Sequence, residues 1–299
     1  MNRKTLKILI IIFIVFGGII AWQLYHYNHQ PQPRVKGIVE IRKNLTVDFF
    51  DVGQGDSELI RTPQGQDILI DGGPDNKVMQ KLGAALPLLD RDIELMILSH
   101  PHSDHVTGLN EVIRSYDVKK IMMTGFAYSS AEYRQFLNLI KEKNIPVEII
   151  DQIEDIALES DLDLRILFPD TSLVHANIDN PNNTSIVAKL TFVSTSYLFT
   201  GDFENEEIFL RQTSTRELLH STVLKVGHHG SGNANDLEYL KAVNPVYAVI
   251  SVGAKNSYGL PSYRVIYNLE KLGAKVWRTD QVGDVSLISD GHKVERMGM

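Results

Sequence analysis

Four side chains with metal-binding chemistry lie within six residues of the chain, in the stretch His100-Pro-His102-Ser-Asp104-His105. Imidazole nitrogens combined with carboxylate oxygens favour zinc, manganese or iron over magnesium or calcium. His100 and His102 alternate and can face one point, whereas Asp104 and His105 turn into a helix and can face a neighbouring point. Two-metal hydrolytic sites hold their ions about 3.5–4 Å apart, which suits such a loop. The stretch predicts a metal-dependent hydrolase; the alternative, a solvated turn, would require three of the ten histidines to cluster by chance.

Three other segments place polar side chains directly after apolar runs. Asp202, in Thr-Gly-Asp, is a carboxylate that can bridge two ions, although Gly-Asp after a strand is also an ordinary turn. His228 and His229 are flanked by glycines that let the backbone approach closely. Because adjacent side chains point in different directions, we expect one of the two to be a ligand. Asp71, in Ile-Leu-Ile-Asp-Gly-Gly, either fixes the tautomer of a ligand histidine or serves a turn.

Other features narrow the chemistry. The chain has no cysteine, so any metal must be held by imidazole and carboxylate groups. The Gly-rich stretch at residues 51–56 lacks the Lys-Ser/Thr pair of a phosphate-binding loop, and we predict no nucleotide cofactor. The remaining histidines are scattered and are interpreted as surface or core residues: His26, His29, His175, His220 and His292.

Short apolar runs alternate with helical segments from residue 45 onward. Strands are expected at residues 45–52, 57–61, 67–70, 95–98, 121–123, 147–150, within 156–168, and at 185–192, 197–200, 222–226, 248–251 and 275–277, with a hairpin at 284–294. Helices are expected at residues 76–86, 106–115, 131–143, 205–211, 236–243 and 263–272. The acidic stretch at 154–163 is interpreted as a solvated edge. This order predicts an α/β sandwich, and two halves that both run from strands to helices leave a duplicated pair of sheets open.

Composition allows a sizeable core, because 43% of the 299 residues are hydrophobic. The formal net charge of −7 argues weakly against broad non-specific affinity for nucleic acid, which usually requires a basic surface.

Residues 1–34 are predicted to be a membrane anchor and linker. Basic residues precede an uncharged apolar run at residues 8–22. As a helix this run is about 22 Å long, against a hydrocarbon core of about 30 Å, which fits a signal-peptide core or a short anchor. The nearest candidate cleavage site, at residues 19–21, is poor, so an uncleaved single-pass anchor is favoured over a cleaved, secreted form. Positive charge before the run places the rest of the chain outside the cytoplasm.

A set of ordered motifs carries a family resemblance. The stretch HPHSDH matches the H-x-H-x-D-H motif of the metallo-β-lactamase fold. Together with FFDVGQGDS, LIDGG, TGDF, LKVGHHGS, VGAKNSYG and RTDQVGDVSL, it resembles the hydrolase domain of ComEC-type competence proteins and the related teichoic-acid phosphorylcholine esterases. The resemblance spans residues 45–291 and implies a metallo-β-lactamase αββα sandwich, here predicted for residues 45–299, with its site at the strand ends between two sheets.

The resemblance also implies two divalent ions, zinc or manganese, and a role for each candidate residue. Six side chains would hold the ions: His100 and His102 at the first, Asp104, His105 and His229 at the second, and Asp202 between them. His228 would face the scissile phosphate, Asp71 would contact a ligand histidine, and catalysis would depend on His228, Asp202 and Asp104.

Two departures from the family pattern bear on substrate and metal. The wider fold usually supplies a third histidine to the first metal, but residues 180–185 (NPNNTS) contain none. The ComEC-like branch is also Asn/Ser-rich there, so this feature implies a first metal site that is weaker or completed by substrate. The branch often has histidine where this chain has Leu260, which removes a polar contact to substrate.

These observations predict a membrane-anchored, extracytoplasmic phosphodiesterase or nuclease that uses a hydroxide activated by two metals. The phosphoester substrate stays open among nucleic acid, a wall polymer and a small molecule. Two alternatives remain: a hydrolase of a lactam, lactone or thioester on the same fold, and a non-catalytic metal-binding surface module.

Overall fold

Two mixed sheets face each other in the computed structural model, which describes residues 43–211 and 213–298. The strands are β1 (Leu45–Phe49), β2 (Glu58–Arg61), β3 (Asp67–Ile70), β4 (Asp92–Ile93), β5 (Leu95–Ile97), β6 (Asp117–Val118), β7 (Ile121–Met123), β8 (Val147–Ile149), β9 (Glu154–Glu159), β10 (Leu162–Phe168), β11 (Val187–Phe192), β12 (Thr195–Phe199), β13 (Val223–Lys225), β14 (Tyr247–Ile250), β15 (Lys275–Arg278), β16 (Val285–Ser289) and β17 (Val294–Arg296). The helices are α1 (Lys77–Ala85), α2 (Ser103–Ser115), α3 (Ala131–Lys143), α4 (Glu207–Leu210), α5 (Thr213–Leu218), α6 (Leu237–Val243), α7 (Tyr263–Lys271) and α8 (Thr279–Val282), with 3-10 turns at Pro181–Thr184 and Gly227–Gly230.

The strand order defines a first sheet, β17-β16-β1-β2-β3-β5-β7-β8, and a second sheet, β15-β14-β13-β12-β11-β10-β9, with β4 and β6 paired separately. Successive strand residues point to opposite faces, and both faces of the first sheet are covered. In β3, for example, Ile68 and Ile70 enter the core between the sheets, whereas Leu69 packs under the helices. Helices α1, α2 and α3 cover the first sheet, and α6 and α7 cover the second. The expected αββα sandwich is confirmed.

Strand direction gives the domain two distinct ends. Strands β3, β5, β7 and β8 are parallel, as are β12, β13, β14 and β15. We call the edge where their carboxyl ends lie the site end, because loops after such strands commonly carry function. Strand β1 runs parallel to β3, since each is antiparallel to β2. Leu45, the first residue of β1, therefore lies at the opposite end.

Most expected elements form close to their expected bounds, with three informative differences. Helix α2 begins at Ser103 rather than 106, because His102 takes extended backbone angles as N-cap and Asp104 in the first turn suits the helix dipole. The segment expected within 156–168 is a hairpin of β9 and β10, and acidic β9 is indeed an edge strand. The short β4–β6 pair was not expected.

The predicted anchor and linker, residues 1–34, lie outside the residues that the structure describes. Within the described ranges, no helix has the length and apolar character needed to cross a bilayer.

Candidate metal centre

The His100–His105 loop reaches the site end because β5 stops at Ile97 and α2 starts at Ser103. Two glycines allow α2 to pack closely against the loop after β3. A Cβ at Gly108 would lie 1.9 Å from the Gly72 carbonyl oxygen, so only glycine fits there. The same approach lets the Gly72 amide donate to the His105 carbonyl at 2.7 Å. The loops after β3 and β5 are thus fixed to each other.

Four side chains from three segments of the chain converge at this end. One ligand atom from each of Asp104, His105, Asp202 and His229 lies within 4.8 Å of all the others, so the group could hold a metal ion. The Asp202 Oδ2 atom lies 3.3 Å from His105 Nε2 and 3.5 Å from His229 Nε2. His229 Nε2 also lies 3.3 Å from Asp104 Oδ2. Residues that are up to 125 positions apart thereby form one centre.

His100 and His102 lie beside this group without belonging to it. The His100 ring is 4.2 Å from the His105 ring and 4.7 Å from the His102 ring, measured between centroids. His100 Nε2 is 4.0 Å from Asp202 Oδ2, so Asp202 stands between the two sets of histidines. His102 is partly exposed and its ring contacts Tyr128 at 5.3 Å.

The two adjacent histidines after β13 differ in their surroundings. Both take left-handed backbone angles, with φ of 46° at His228 and 52° at His229. Such angles are uncommon for residues other than glycine and concentrate at functional sites. His229 is buried within the four-residue group, and its Nδ1 contacts the Ser251 carbonyl oxygen at 2.9 Å. His228 is partly exposed, with Nδ1 2.6 Å from Glu204 Oε1 and Nε2 4.0 Å from Asp202 Oδ2.

Asp71 lies behind His105 rather than in a free turn. Its Oδ2 atom is 2.7 Å from His105 Nδ1 and accepts a hydrogen bond from the Ser99 hydroxyl at 2.5 Å. Its Oδ1 accepts from the Ser99 amide at 2.8 Å. Because His105 Nδ1 faces a carboxylate, Nε2 is the nitrogen that faces the centre.

The carboxylates outweigh burial at the two buried histidines of the group. Burial alone would lower the pKa of His105, but Asp202 and Asp71 raise it well above its ordinary value. Burial would likewise lower the pKa of His229, but Asp202 and Asp56 raise it to about 10. The centre therefore has a strongly negative potential, which favours a cation.

Unpartnered buried atoms test whether these residues suit a metal. Within the described residues, His100 Nε2, His105 Nε2 and Asp202 Oδ1 are buried and have no hydrogen-bond partner. Leaving such an atom unsatisfied costs about 1–3 kcal/mol, so one such atom in isolation calls for an explanation. These three atoms belong to two imidazoles and one carboxylate of the centre. A divalent cation uses such atoms as ligands, so the residues present fit a metal ion.

Several contributors to the centre were missed by the sequence analysis. Asp56 Oδ1 lies 3.2 Å from His229 Nδ1, and its Oδ2 lies 2.5 Å from Lys225 Nζ, with both Asp56 and Lys225 fully buried. Glu204 orients His228. Asp56 ends the Gly-rich stretch that was considered only as a phosphate loop, and Glu204 follows Asp202 by two residues. The available signal was Lys225, a charged residue within the apolar run at residues 222–226 and the last residue of β13.

A cleft of about 210 Å³ opens over the centre. It is lined by Gln54, His102, Asp104, Asn182, Asp202, His228, His229, Tyr258 and Leu260. Asn182, from the stretch without a histidine, donates to Glu204 Oε1 at 3.2 Å. Ser185, at the end of that stretch, accepts from the Asp202 amide at 3.1 Å. The stretch thus positions the residues around His228 and Asp202, and Leu260 makes one wall of the cleft apolar.

Replacing Asp71 by asparagine should weaken metal binding without unfolding the centre. The Asp71→Asn amide can present an N–H where His105 Nδ1 now meets a carboxylate oxygen, which disfavours the tautomer with Nε2 free. Loss of such a supporting contact typically lowers metal affinity about 10–100-fold. Competition with a chromogenic chelator measures the affinity. Asp75→Asn, on the same loop but partly exposed, is the matched control, and equal affinity in the two variants would contradict this role.

Metal binding at neutral pH should release protons. The raised pKa values of His105 and His229 predict that both are protonated at pH 7 in the metal-free protein, whereas burial lowers the pKa of His100 well below its ordinary value. Ligation requires neutral imidazole, so about two protons should leave when both raised histidines bind metal. Affinity should rise with pH until the higher of these pKa values is passed. Calorimetry at pH 7 in buffers of different ionisation enthalpy counts the protons; a count of zero would refute the protonated ground state.

Comparisons with known proteins agree with this geometry. Residues 50–254, more than half of the chain, match the family model described as "Metallo-beta-lactamase superfamily". The chain is 27% identical over 262 residues to ComE operon protein 3 of Bacillus subtilis (strain 168), covering 80% of this chain and 32% of that protein. It is 29% identical over 259 residues to competence protein ComA of Neisseria gonorrhoeae, covering 84% of this chain and 33% of that one. The chain therefore spans about one third of the length of these relatives. The resemblance to the hydrolase domain of competence proteins is confirmed.

One solved structure shows the same fold. CmlA, a diiron beta-hydroxylase from Streptomyces venezuelae, matches with a TM-score of 0.53 at 13% identity, over 86% of this chain and 54% of that one. At this identity the likeness concerns the fold alone.

Proposed function

Because the chain belongs to the metallo-beta-lactamase superfamily, we propose that it is a divalent-metal-dependent phosphoesterase. The observation that carries the proposal is the convergence of Asp104, His105, Asp202 and His229 at the floor of an open cleft. A fold of this superfamily with such a group supports metal binding and hydrolysis. We propose in addition that the substrate is a phosphoester, that two ions bind, and that they are zinc or manganese.

Six side chains would hold two ions, zinc or manganese. His100 and His102 would bind the first ion, Asp104, His105 and His229 the second, and Asp202 both. When bound, such ions lower the pKa of a water ligand to about 7 and offset charge on phosphoryl oxygens. Asp71 would keep His105 in the tautomer that exposes Nε2. Asp56 and the Ser251 carbonyl would do the same for His229.

His228 would contact the substrate rather than a metal. Glu204 holds Nδ1 of its ring at 2.6 Å, which directs Nε2 toward Asp202 and the cleft. As an imidazolium, with Nδ1–H donating to Glu204, His228 can also donate from Nε2 to a phosphoryl oxygen or to the leaving oxygen. Asn182 supports this arrangement through Glu204.

The cleft favours a phosphoester over a lactam or thioester. Gln54, Asn182 and His228 line its walls and carry N–H groups, and such donors suit the several charged oxygens of a phosphate. The absence of a histidine in residues 180–185 leaves fewer ligands for the first ion. An anionic substrate oxygen can complete that site.

We further propose that the domain works outside the cytoplasm, attached to the cell membrane by the apolar run at residues 8–22. The phosphoester stays open among nucleic acid, a wall polymer and a small molecule, and the net charge of −7 argues weakly against broad non-specific affinity for nucleic acid.

A panel of substrates tests the proposal. The full-length chain, stripped of metal and resupplied with manganese or zinc, is assayed on single-stranded DNA, a bis-aryl phosphate and a phosphorylcholine ester. We expect metal-dependent turnover of at least one. Nitrocefin and an aryl lactone are assayed in parallel. Turnover of nitrocefin or the aryl lactone alone would show that the enzyme cleaves a carbon–nitrogen or carbon–oxygen bond instead. Metal binding without turnover of any substrate would indicate a non-catalytic binding module.

A further inference from the structure

A tight turn at the opposite end of the domain exposes two adjacent leucines. Leu88 and Leu89 are 84% and 85% exposed, more than any other large hydrophobic residue that the structure describes. The Asp90 amide donates to the Pro87 carbonyl at 2.9 Å and closes the turn. We call residues 87–90 the leucine turn. Its backbone is hydrogen-bonded, so the exposure of both side chains is built into the fold.

The segments on either side of the leucine turn enter the core. Leu86 is buried under the helices of the first sheet, and Ile93 is fully buried in the same cluster. The chain therefore leaves the core for a few residues only and presents its two leucines there. Two adjacent leucines that are almost fully exposed leave apolar surface in water, and covering that surface is favourable.

The leucine turn lies beside the point where the chain enters the domain. The Glu94 amide donates to the carbonyl of Asp67, the first residue of β3, at 3.0 Å. Arg61 pairs with Thr46 in the ladder between β1 and β2, and its Nη1 donates to the Ala85 carbonyl at 3.2 Å. Ala85 is the last residue of α1 and precedes the turn by two positions. The start of β1 and the leucine turn are thus joined through one arginine.

We propose that the leucine turn inserts into the surface of a lipid bilayer and holds the domain with its site end facing away from the membrane. The inference rests on the proposed attachment through residues 8–22. Twenty residues, 23–42, separate that run from the first described residue. A chain of this length spans at most roughly 70 Å, so attachment alone would leave the orientation of the domain free. A second contact next to the entry point fixes it.

The occupant is the apolar part of the bilayer rather than its charge. Lys119 beside the turn is already paired with Asp92 at 2.9 Å and Asp117 at 2.7 Å. The Arg91 guanidinium lies over the Tyr116 ring at 5.1 Å. Cations that are engaged in this way add little attraction for anionic lipid. Two leucines bind a membrane weakly by themselves, but tethering raises their effective concentration at the surface.

Fluorescence from single cysteines tests the contact, since the chain has no cysteine of its own. Leu88→Cys and Leu89→Cys are labelled with an environment-sensitive probe in the full-length chain and reconstituted into phosphatidylcholine vesicles. We expect a blue shift, loss of intensity with nitroxide-labelled lipid, and protection from iodide. Tyr263→Cys, 80% exposed at the site end, is the matched control and should respond to iodide alone. Adding anionic lipid should change neither result.

Each other outcome overturns the inference in a distinguishable way. If the protein floats with vesicles while iodide still quenches both leucine positions, the attachment stands and the leucine contact is wrong. If the leucine positions are protected from iodide without quenching by labelled lipid, and remain so in detergent, a protein surface covers them instead. If the protein does not float with vesicles, the attachment and the leucine contact both fail. Phosphoesterase activity is assayed separately and bears on neither.

Discussion

Replacing Asp202 by asparagine should slow hydrolysis about 10³-fold and at the same time reduce the number of protons released on metal binding. Asp202 is buried and lies 3.3–4.0 Å from the nearest nitrogens of His100, His105, His228 and His229. One oxygen of Asp202, Oδ2, thus lies within 4.0 Å of ligands in both predicted sets, His100 in one and His105 and His229 in the other. Loss of about 4 kcal/mol of the transition-state stabilisation that the metals would supply corresponds to a reaction about 10³-fold slower.

The proton count makes the Asp202 result specific to the site. Asp202 is the leading charge that raises the pKa of both His105 and His229. Without it, burial lowers both pKa values, the imidazoles are more often neutral at pH 7, and metal binding releases fewer protons. Asp170→Asn, which removes an exposed carboxylate, is the control and should change neither quantity. Full activity in Asp202→Asn would refute the bridging role.

Removing the buried lysine beneath the centre should produce the largest loss of stability. Lys225 Nζ lies 2.5 Å from Asp56 Oδ2, and both side chains are 1% exposed. Lys225→Met leaves the Asp56 carboxylate buried and uncompensated except by His229. Breaking such a pair from one side costs about 3–5 kcal/mol of the free energy of unfolding. Chemical denaturation of the metal-free protein measures the loss.

Two variants separate the buried charge from general packing. Lys189→Met removes a half-buried lysine of β11, two strands away from β13 in the same sheet, whose ammonium donates to the Leu218 and His220 carbonyls. Its loss should cost about 1 kcal/mol, the usual contribution of such hydrogen bonds. The double variant Lys225→Met with Asp56→Asn removes both charges and should recover much of the stability lost in the single variant. A double variant that is as unstable as Lys225→Met would show that lost packing, not the unpaired charge, causes the effect.

Local patterns predicted most elements because they depend on neighbouring residues. The alternation of β3 and the amphipathic face of α3 are visible over a few positions, and both elements form at their expected bounds. The start of α2 was misplaced by three residues, since the polar Ser103, Asp104 and His105 hide a helical turn. The two strands of the β9–β10 hairpin were predicted as one segment, because one alternating pattern continues through the turn between them.

The sequence by itself determined the ligand chemistry. With no cysteine and a compact His-x-His-x-Asp-His stretch, only an imidazole and carboxylate metal centre was consistent with the residues. Residue type and short spacing suffice for this, because they do not depend on what the rest of the chain contacts.

The tertiary structure decided which distant groups meet. It placed His229 rather than His228 beside Asp104 and Asp202, and it brought Asp56 to Lys225 and Glu204 to His228. These contacts follow from the order of strands within two sheets and from the left-handed turn after β13, where a small change in backbone angle exchanges two neighbouring side chains. Spacing along a chain does not encode such geometry. The metal-binding loop could therefore be predicted from its sequence, whereas the residues that contact it could be identified only in the folded domain.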